Sequence, residues 1–532
     1  MGLPQARGWR PIASAVAVSL PFLAYFSAPR FADEMRDPYT MTVRYGVNPF
    51  KIIAGNLRDV GPFLEMGNVR PLGRIAYSFE FVYSKGLADA LGVPLPVVHA
   101  IVRTAALWAA LAAIASLWTT LESNGLRSRP PWSRTVGLVA CAAAAATLAT
   151  WSYQPLVFFP TQGLFSAALE CLAVAMTIRF SALGGRRLAA GCAVLGGMAA
   201  CFYDLAYVVV VAAPVALGGL RVVQHRARRT RAGWSACIPL FVGFGVVFVP
   251  IRLLIVRACA EQSCYRGSDL ELTTRALPAF AARLLSALPP TYWPMGVDSW
   301  TWWALIIAPV VGLGVAVAAL RAANRPRDTA KAHCKVVTEE LPRGSDPDDV
   351  GIRDGADAAI LLVVVMVVAW LTAAAMTALS ISIQDVGFAP RSPWRDGIYG
   401  VLFLATLMWA TMERLARSAS PRHLRVAVAS LALLVSLQFI LNTGTITFSR
   451  GLGPNPVYLR VDRLFSEDVG DDEVCQLAVE LYELTQEPDT RYYSTALLES
   501  MKRLKPVNGC PAYQAPLELD EWHMRQLGDL DS

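Results

Sequence analysis

Apolar positions along the chain gather into eleven runs, at about 11–29, 96–119, 135–153, 163–180, 188–203, 205–220, 234–256, 301–320, 357–378, 398–412 and 425–441. Most are about 17–25 residues long, enough to cross a ~30 Å hydrocarbon core as a helix. A closed barrel would show short alternating segments instead, and nothing in this sequence alternates for long. The pattern predicts an all-α polytopic membrane protein with about 11 transmembrane helices. The fifth and sixth runs are short and nearly fused at Phe202-Tyr203-Asp204. The first has Arg7 and Arg10 ahead of it and also reads as a signal peptide, whose removal would not alter the sidedness of the later runs.

Three polar stretches interrupt the runs. The first, 31–95, holds Phe50, Ile53, Leu57, Val60 and Leu64 on one helical face, with Lys51, Asn56, Arg58 and Asp59 between them. A second segment there, Ile75 to Leu91, is apolar but carries Glu80, Lys85 and Asp89. Both suit helices lying in the membrane interface, or helices packed on the bundle. The stretch 321–356 is polar, contains Asp346-Pro347-Asp348-Asp349, and reads as a linker. The chain divides into a multi-pass domain, 1–453, and a small helical appendage, 454–532. In the appendage Asp471-Asp472-Glu473 starts a helix with Val474, Leu477, Leu481 and Leu484 on one side. Tyr492 to Lys505 repeats the spacing with Leu497, Leu498, Met501 and Leu504. A unit this small needs a staple or a docking surface.

Lysine and arginine in short loops set orientation. With the N-terminus inside, the inner loops hold Arg127/Arg129/Arg134, Arg186/Arg187, Arg221/Arg226/Arg228/Arg229/Arg231, Arg321/Arg325/Arg327/Lys331 and Arg414/Arg417/Arg422/Arg425. The opposing loops Tyr153–Gln162 and Phe202–Asp204 hold none, and only the loop ending at Gly397 dissents, with Arg391 and Arg395. The N-terminus is therefore expected inside, and the 31–95 loop and C-terminus outside, in a cytoplasmic (inner) membrane. Cys259, Cys264, Cys475 and Cys510 all fall outside and form two local pairs, as disulfides of an oxidising compartment would. Zinc is the rival, without nearby histidines to support it. Cys475 and Cys510 would join the two tail helices.

At 532 residues, 55% apolar and 17% charged, the net charge is +7. From 454 onward sixteen acidic residues face seven basic ones, about −9, so the membrane part carries about +16. Positive-inside bias accounts for this, and no nucleic-acid partner is expected. Neither a Walker loop nor a GxGxxG nucleotide motif occurs.

Candidate chemistry gathers at the outer mouth, where charges in a membrane protein mark function. The 31–95 loop opens with Asp33-Glu34-Met35-Arg36-Asp37 and continues to Arg70-Pro71-Leu72-Gly73-Arg74. Carboxylates beside arginines suit chemistry on a lipid-linked phosphate. Asp204, at a tight turn between runs, must face water or a partner. Arg252, after Pro250, snorkels to headgroups or holds a phosphate. Gln384, Asp385, Arg391, Trp394, Arg395 and Asp396 form another outer polar loop. Tyr292-Trp293-Pro294 and Trp300-Thr301-Trp302-Trp303 read as an interfacial aromatic belt, Glu170 as a bundle-facing carboxylate and His99 as an interfacial polar residue.

The acidic opening, the long first outer loop with two interfacial helices, the many-span bundle and the external C-terminal piece resemble the GT-C superfamily of membrane glycosyltransferases. The opening Asp33-Glu34-x-Arg36, followed by Arg70-Pro71-Leu72-Gly73-Arg74, is similar to that of O-antigen glucosyltransferase-type members. The resemblance covers the first ~120 residues and the span count. It implies a polyprenyl-phosphate sugar as donor substrate and a glycan or protein acceptor of the cell envelope. Asp33 is then the first choice for the base that takes the acceptor proton, with Glu34 second. Arg36, Arg70 and Arg74 are donor-phosphate ligands, with Asp204, Arg252 and Asp385 completing the substrate site. Asp33, Glu34 and Asp37 could hold a divalent cation, although the chemistry does not require one. A transporter or flippase of a lipid-linked substrate is the alternative, and a non-catalytic assembly protein a third.

Overall fold

The computed structural model describes residues 16, 18–20, 22, 26, 32–65, 67–124, 132–145, 160–226, 233–261, 270–286, 288, 302–323, 355–388, 396–418, 421–451, 457, 460–461, 464, 469–487 and 491–516. Nearly all of them are helical, and no strand occurs among them beyond a single bridge, Leu270 to Ser380. The protein is an all-α integral membrane protein. Among the described residues eight helices are long and apolar enough to cross a membrane. Two further expected spans are present as shorter helices, 132–145 and 186–202, and the first, 11–29, lies mostly outside the described residues. The aromatic belt residues 292–301, the polar residues 391–395 and the linker residues 324–354 also lie outside them.

The 31–95 stretch is four helices: α1 (Ala32–Tyr45), α2 (Pro49–Arg58), α3 (Val60–Glu65) and α4 (Pro71–Leu91). Local chemistry sets these boundaries. The Asn48 side chain accepts hydrogen bonds from the backbone N–H of Phe50 (2.9 Å) and Lys51, and Pro49 sits at the first helical position, so α2 starts there. Pro71 begins α4, and Gly92, at φ 62°, ends it with the left-handed turn that glycine adopts freely. The two amphipathic helices differ in fate. In α2, Phe50 is 79% exposed and Leu57 53%, while Ile52 and Asn56 turn inward, leaving an apolar face outward as an interfacial helix would. In α4, Tyr77, Ser78, Glu80, Phe81, Ser84 and Lys85 are buried, because it packs against α1, α2 and the bundle.

The bundle comprises α5 (Leu95–Glu122), α6 (Trp132–Ala145), α7 (Pro160–Leu183), α8 (Arg186–Phe202), α9 (Val209–Arg226), α10 (Ile238–Glu261), α11 (Ala276–Ser286), α12 (Trp302–Ala323), α13 (Gly355–Ala378), α14 (Ile381–Val386), α15 (Gly397–Ser418) and α16 (Pro421–Gly451). Small residues let the backbones meet, as expected where lipid offers no hydrophobic drive between helices. A Cβ at Gly243 of α10 would collide with the Ala193 carbonyl oxygen of α8, and one at Gly196 of α8 would collide with the Leu240 oxygen of α10. At one end of the bundle Arg134 of α6 pairs with Glu122 of α5 and Glu413 of α15, joining these three helices.

At the other end sit α17 (Asp471–Thr485), α18 (Arg491–Leu504) and α19 (Pro511–Gln514). Val474, Leu477, Leu481, Leu497, Leu498 and Met501 form their shared core, as the spacing predicts. Cys475 and Cys510 are disulfide-bonded, with Cα atoms 5.5 Å apart, tying α17 to the segment after α18. Tyr39 of α1, 2% exposed, belongs to the same core. The tail unit is therefore docked on α1. Cys259 is disulfide-bonded, and its expected partner Cys264 lies outside the described residues. Cys334 lies outside them as well. His99, expected at the interface, is instead fully buried in α5 with its ring 5.2 Å from that of Phe81, because α4 covers this part of α5.

Candidate functional site

A cavity of about 800 Å³ opens where α1, α3, α4, the α8–α9 turn, α10, the α13–α14 turn and α18 converge. Among the described residues six arginines line it: Arg36, Arg44, Arg70, Arg74, Arg252 and Arg503. The carboxylates Asp37, Asp204 and Glu499 join them. The sequence-predicted residues Arg36, Arg70, Arg74, Asp204 and Arg252 thus meet in one place, although they span more than two hundred positions.

The Arg70-Pro71-Leu72-Gly73-Arg74 motif is held by its glycine. A Cβ at Gly73 would collide with the Phe202 carbonyl oxygen, and Gln162 Nε2 donates to the Gly73 oxygen at 3.3 Å. This backbone contact brings α4's first turn against the 3₁₀ turn Asp204–Val208 that links α8 to α9. Arg70 then forms an ion pair with Asp204 and lies over the Tyr203 ring at 4.5 Å. Burial opposes the charge on Arg70, yet Asp204 outweighs it and holds the guanidinium above its usual range. Any side chain at position 73 should pry this contact apart. Gly73→Val is expected to lower stability by about 1–3 kcal/mol, the usual cost of overpacking. The measurement is thermal unfolding in detergent, and a melting temperature equal to wild type would refute the contact.

Arg74 differs from its neighbour. Its guanidinium stacks on Phe63, 3.2 Å from the ring centroid, and no carboxylate lies within ion-pair distance among the described residues. Burial, with Arg70 beside it, pushes Arg74 below the usual arginine range. A partly buried cation set over an aromatic ring and lining a cavity is arranged to receive an anion.

Arg36, Asp37 and Arg44 are tied to other side chains. Arg36 Nε donates to Asp37 Oδ1 at 2.7 Å, and Tyr77 Oη donates to Asp37 Oδ2 at 2.6 Å. Both Asp37 oxygens are engaged, which leaves it poorly suited as a metal ligand. Arg44 pairs with Asp59 at 3.0 Å, and the Tyr45 hydroxyl donates to the same carboxylate. Among the described residues no three metal-ligating side chains cluster. Asp33 and Glu34 lie in the first turn of α1, and their side chains lie outside the described residues.

The wall that α10 supplies is largely apolar. Phe248, Ile251, Ile255 and Val256 of α10 line it, and Arg252 projects among them, 5.5 Å from the Phe248 ring. Val256 is also 66% exposed, and its neighbours Leu253 and Leu254 are exposed too, so the cavity reaches the apolar outer surface of α10.

Asp385 is not brought into the cavity: it lies on the short helix α14, exposed and 3.6 Å from Arg275. Its neighbour Gln384 is structural, donating to the Glu271 and Leu379 carbonyls. Asp396 is buried beside Arg283 and Glu170 lies inside the bundle, both away from the site. Arg44, Tyr77, Glu499 and Arg503 were missed by sequence. For α18 a signal existed: Ala496, Glu499, Ser500 and Arg503 recur at helical spacing, opposite the leucines.

No family model and no curated protein matches the chain.

Proposed function

We propose that the protein is a GT-C-type membrane glycosyltransferase that moves one sugar from a polyprenyl-phosphate carrier to an acceptor on the outer face. The observation that carries this reading is a cavity lined both by an anion-ready arginine, Arg74, and by apolar residues of α10, a helix whose side chains are largely exposed on the bundle surface. A lipid-linked phosphate has this dual character: an apolar tail that stays in the bilayer and an anionic head that needs cations. The volume fits a sugar phosphate with its first isoprenoid units, within the ~300–1,000 Å³ usual for ligand sites.

The chemistry follows from the charges. The acceptor hydroxyl attacks the anomeric carbon as a carboxylate takes its proton. Negative charge grows on the departing phosphate, where Arg74 is held for it, with Arg36 and Arg252 nearby. Arg70 serves mainly to hold Asp204 and the site's geometry. One attack from the face opposite the phosphate inverts the anomeric centre. The tail, the first loop and the cavity share one end of the bundle, and the positive-inside count favours that end as the outer one, in a protein of about eleven spans.

The test uses the full chain in sealed vesicles of each orientation, with polyprenyl-phosphate sugar donors and cell-envelope acceptors. Consumption of donor and glycosylation of acceptor on the outer face only is the expected result. Donor crossing the bilayer intact, with no sugar released from its phosphate, would replace this reading with that of a flippase.

A further inference from the structure

Resting on the glycosyltransferase reading, the geometry points to Glu499, supplied by the C-terminal unit, as the carboxylate that takes the acceptor proton. Three observations carry this. First, α18 has two faces. Leu497, Leu498 and Met501 fill the core of the tail unit, whereas Ala496, Glu499, Ser500 and Arg503 line the cavity. Second, α18 is anchored in place: it packs on α1, whose Tyr39 inserts into the tail core, and the Cys475–Cys510 disulfide closes the unit. A side chain on a docked helix is held well enough to act on a substrate.

Third, the cavity's carboxylates are not equivalent. Asp37 accepts from Arg36 and Tyr77, and Asp204 is paired with Arg70. A carboxylate bound by cations or by a phenol is a weak proton acceptor, since those partners stabilise its charged form. Glu499 has no ion pair or hydrogen bond to any described residue and is only partly buried. Among the described carboxylates of the cavity it alone keeps both oxygens available to an incoming hydroxyl.

The step balances without a further reactant. The acceptor oxygen forms a bond to the anomeric carbon, and its proton passes to a Glu499 carboxylate oxygen. The bond from that carbon to the phosphate oxygen breaks, and the carrier leaves as polyprenyl phosphate beside Arg74. Glu499 then returns the proton to water. The tail unit is thereby part of the active site, and the acceptor approaches along α18.

The experiment measures single-turnover transfer by the full-length protein, with donor binding measured separately. Glu499→Gln is nearly isosteric and should lower turnover by about 10²–10⁴-fold, the range for a general base, while leaving donor affinity within about twofold. Glu499→Asp should recover part of the rate. Lys502→Gln, on an exposed position of the same helix, should behave as wild type. Unchanged turnover in Glu499→Gln, or a loss of donor affinity equal to its loss of turnover, overturns the assignment of Glu499 alone. Absence of sugar transfer by the wild type overturns the glycosyltransferase reading with it.

Discussion

Arg74→Ala is expected to weaken binding of a polyprenyl-phosphate sugar by about 10–100-fold, in line with about 1.5–3 kcal/mol for a hydrogen bond to a charged group. The same substitution is expected to raise the thermal stability of the ligand-free protein. Arg74 is stacked on Phe63 without a carboxylate in ion-pair distance among the described residues, and Arg70 repels it from the preceding turn. Holding a cation there costs folding energy that only an anionic ligand recovers. Opposite signs for affinity and stability are the signature of a site strained for its ligand. Donor titration and a melt without donor, on the same purified variant, decide it. A variant that loses stability and binding together would show that Arg74 is merely a packing residue.

Arg70 should behave differently. Its partner Asp204 is 37% exposed at the side chain, so removing either leaves a charge that water partly compensates. The contrast between two arginines four positions apart comes from what faces them, not from their own chemistry.

The second large effect lies at the far end of the bundle. Arg134 donates to Glu122 at 2.9 and 3.0 Å and to Glu413 at 3.0 Å, with its guanidinium 4.4 Å from the Trp118 ring centroid. Burial pulls Arg134 down, but the two carboxylates outweigh this and hold it above its usual range. Arg134→Gln leaves those carboxylates facing each other around an uncharged amide. Breaking a buried pair in this way costs about 3–5 kcal/mol, with the lower figure expected because Glu122 is 26% exposed. The apparent melting temperature in detergent should fall by several degrees, and adding Glu122→Gln and Glu413→Gln should restore most of it. A single variant that melts like wild type, or a triple variant no better than the single, would remove this cluster as the clamp between α5, α6 and α15.

Much of the architecture could be read along the chain, because burial in lipid or in a small core imposes local rules. A helix crossing hydrocarbon must satisfy its own backbone and be apolar along its length, so the runs that became α5, α7, α9, α10, α12, α13, α15 and α16 announce themselves. The tail helix α17 begins at Asp471, where the acidic triplet predicts a start. Cys475 and Cys510 likewise pair within a short, local unit. Arg70, Arg74, Asp204 and Arg252 were recognisable as charges too costly to leave at a membrane mouth without a partner.

What each charge faces was decided only by tertiary packing. Arg70 and Asp204 lie 134 positions apart and meet because Gly73 lets two backbones touch, a fact no periodicity encodes. Asp385 has the same polarity as Asp204, yet on α14 it meets Arg275 and solvent. Glu499 was hidden because the leucines of α18 explain that helix fully as a core element; its second face acquires meaning only once Tyr39 docks the tail over the cavity. Hydrophobic burial is short-ranged in sequence and repeats with the helical turn, so it leaves a trace in the residues themselves. Ion pairing and cavity lining depend on distances between remote elements, and those exist only after the helices have packed.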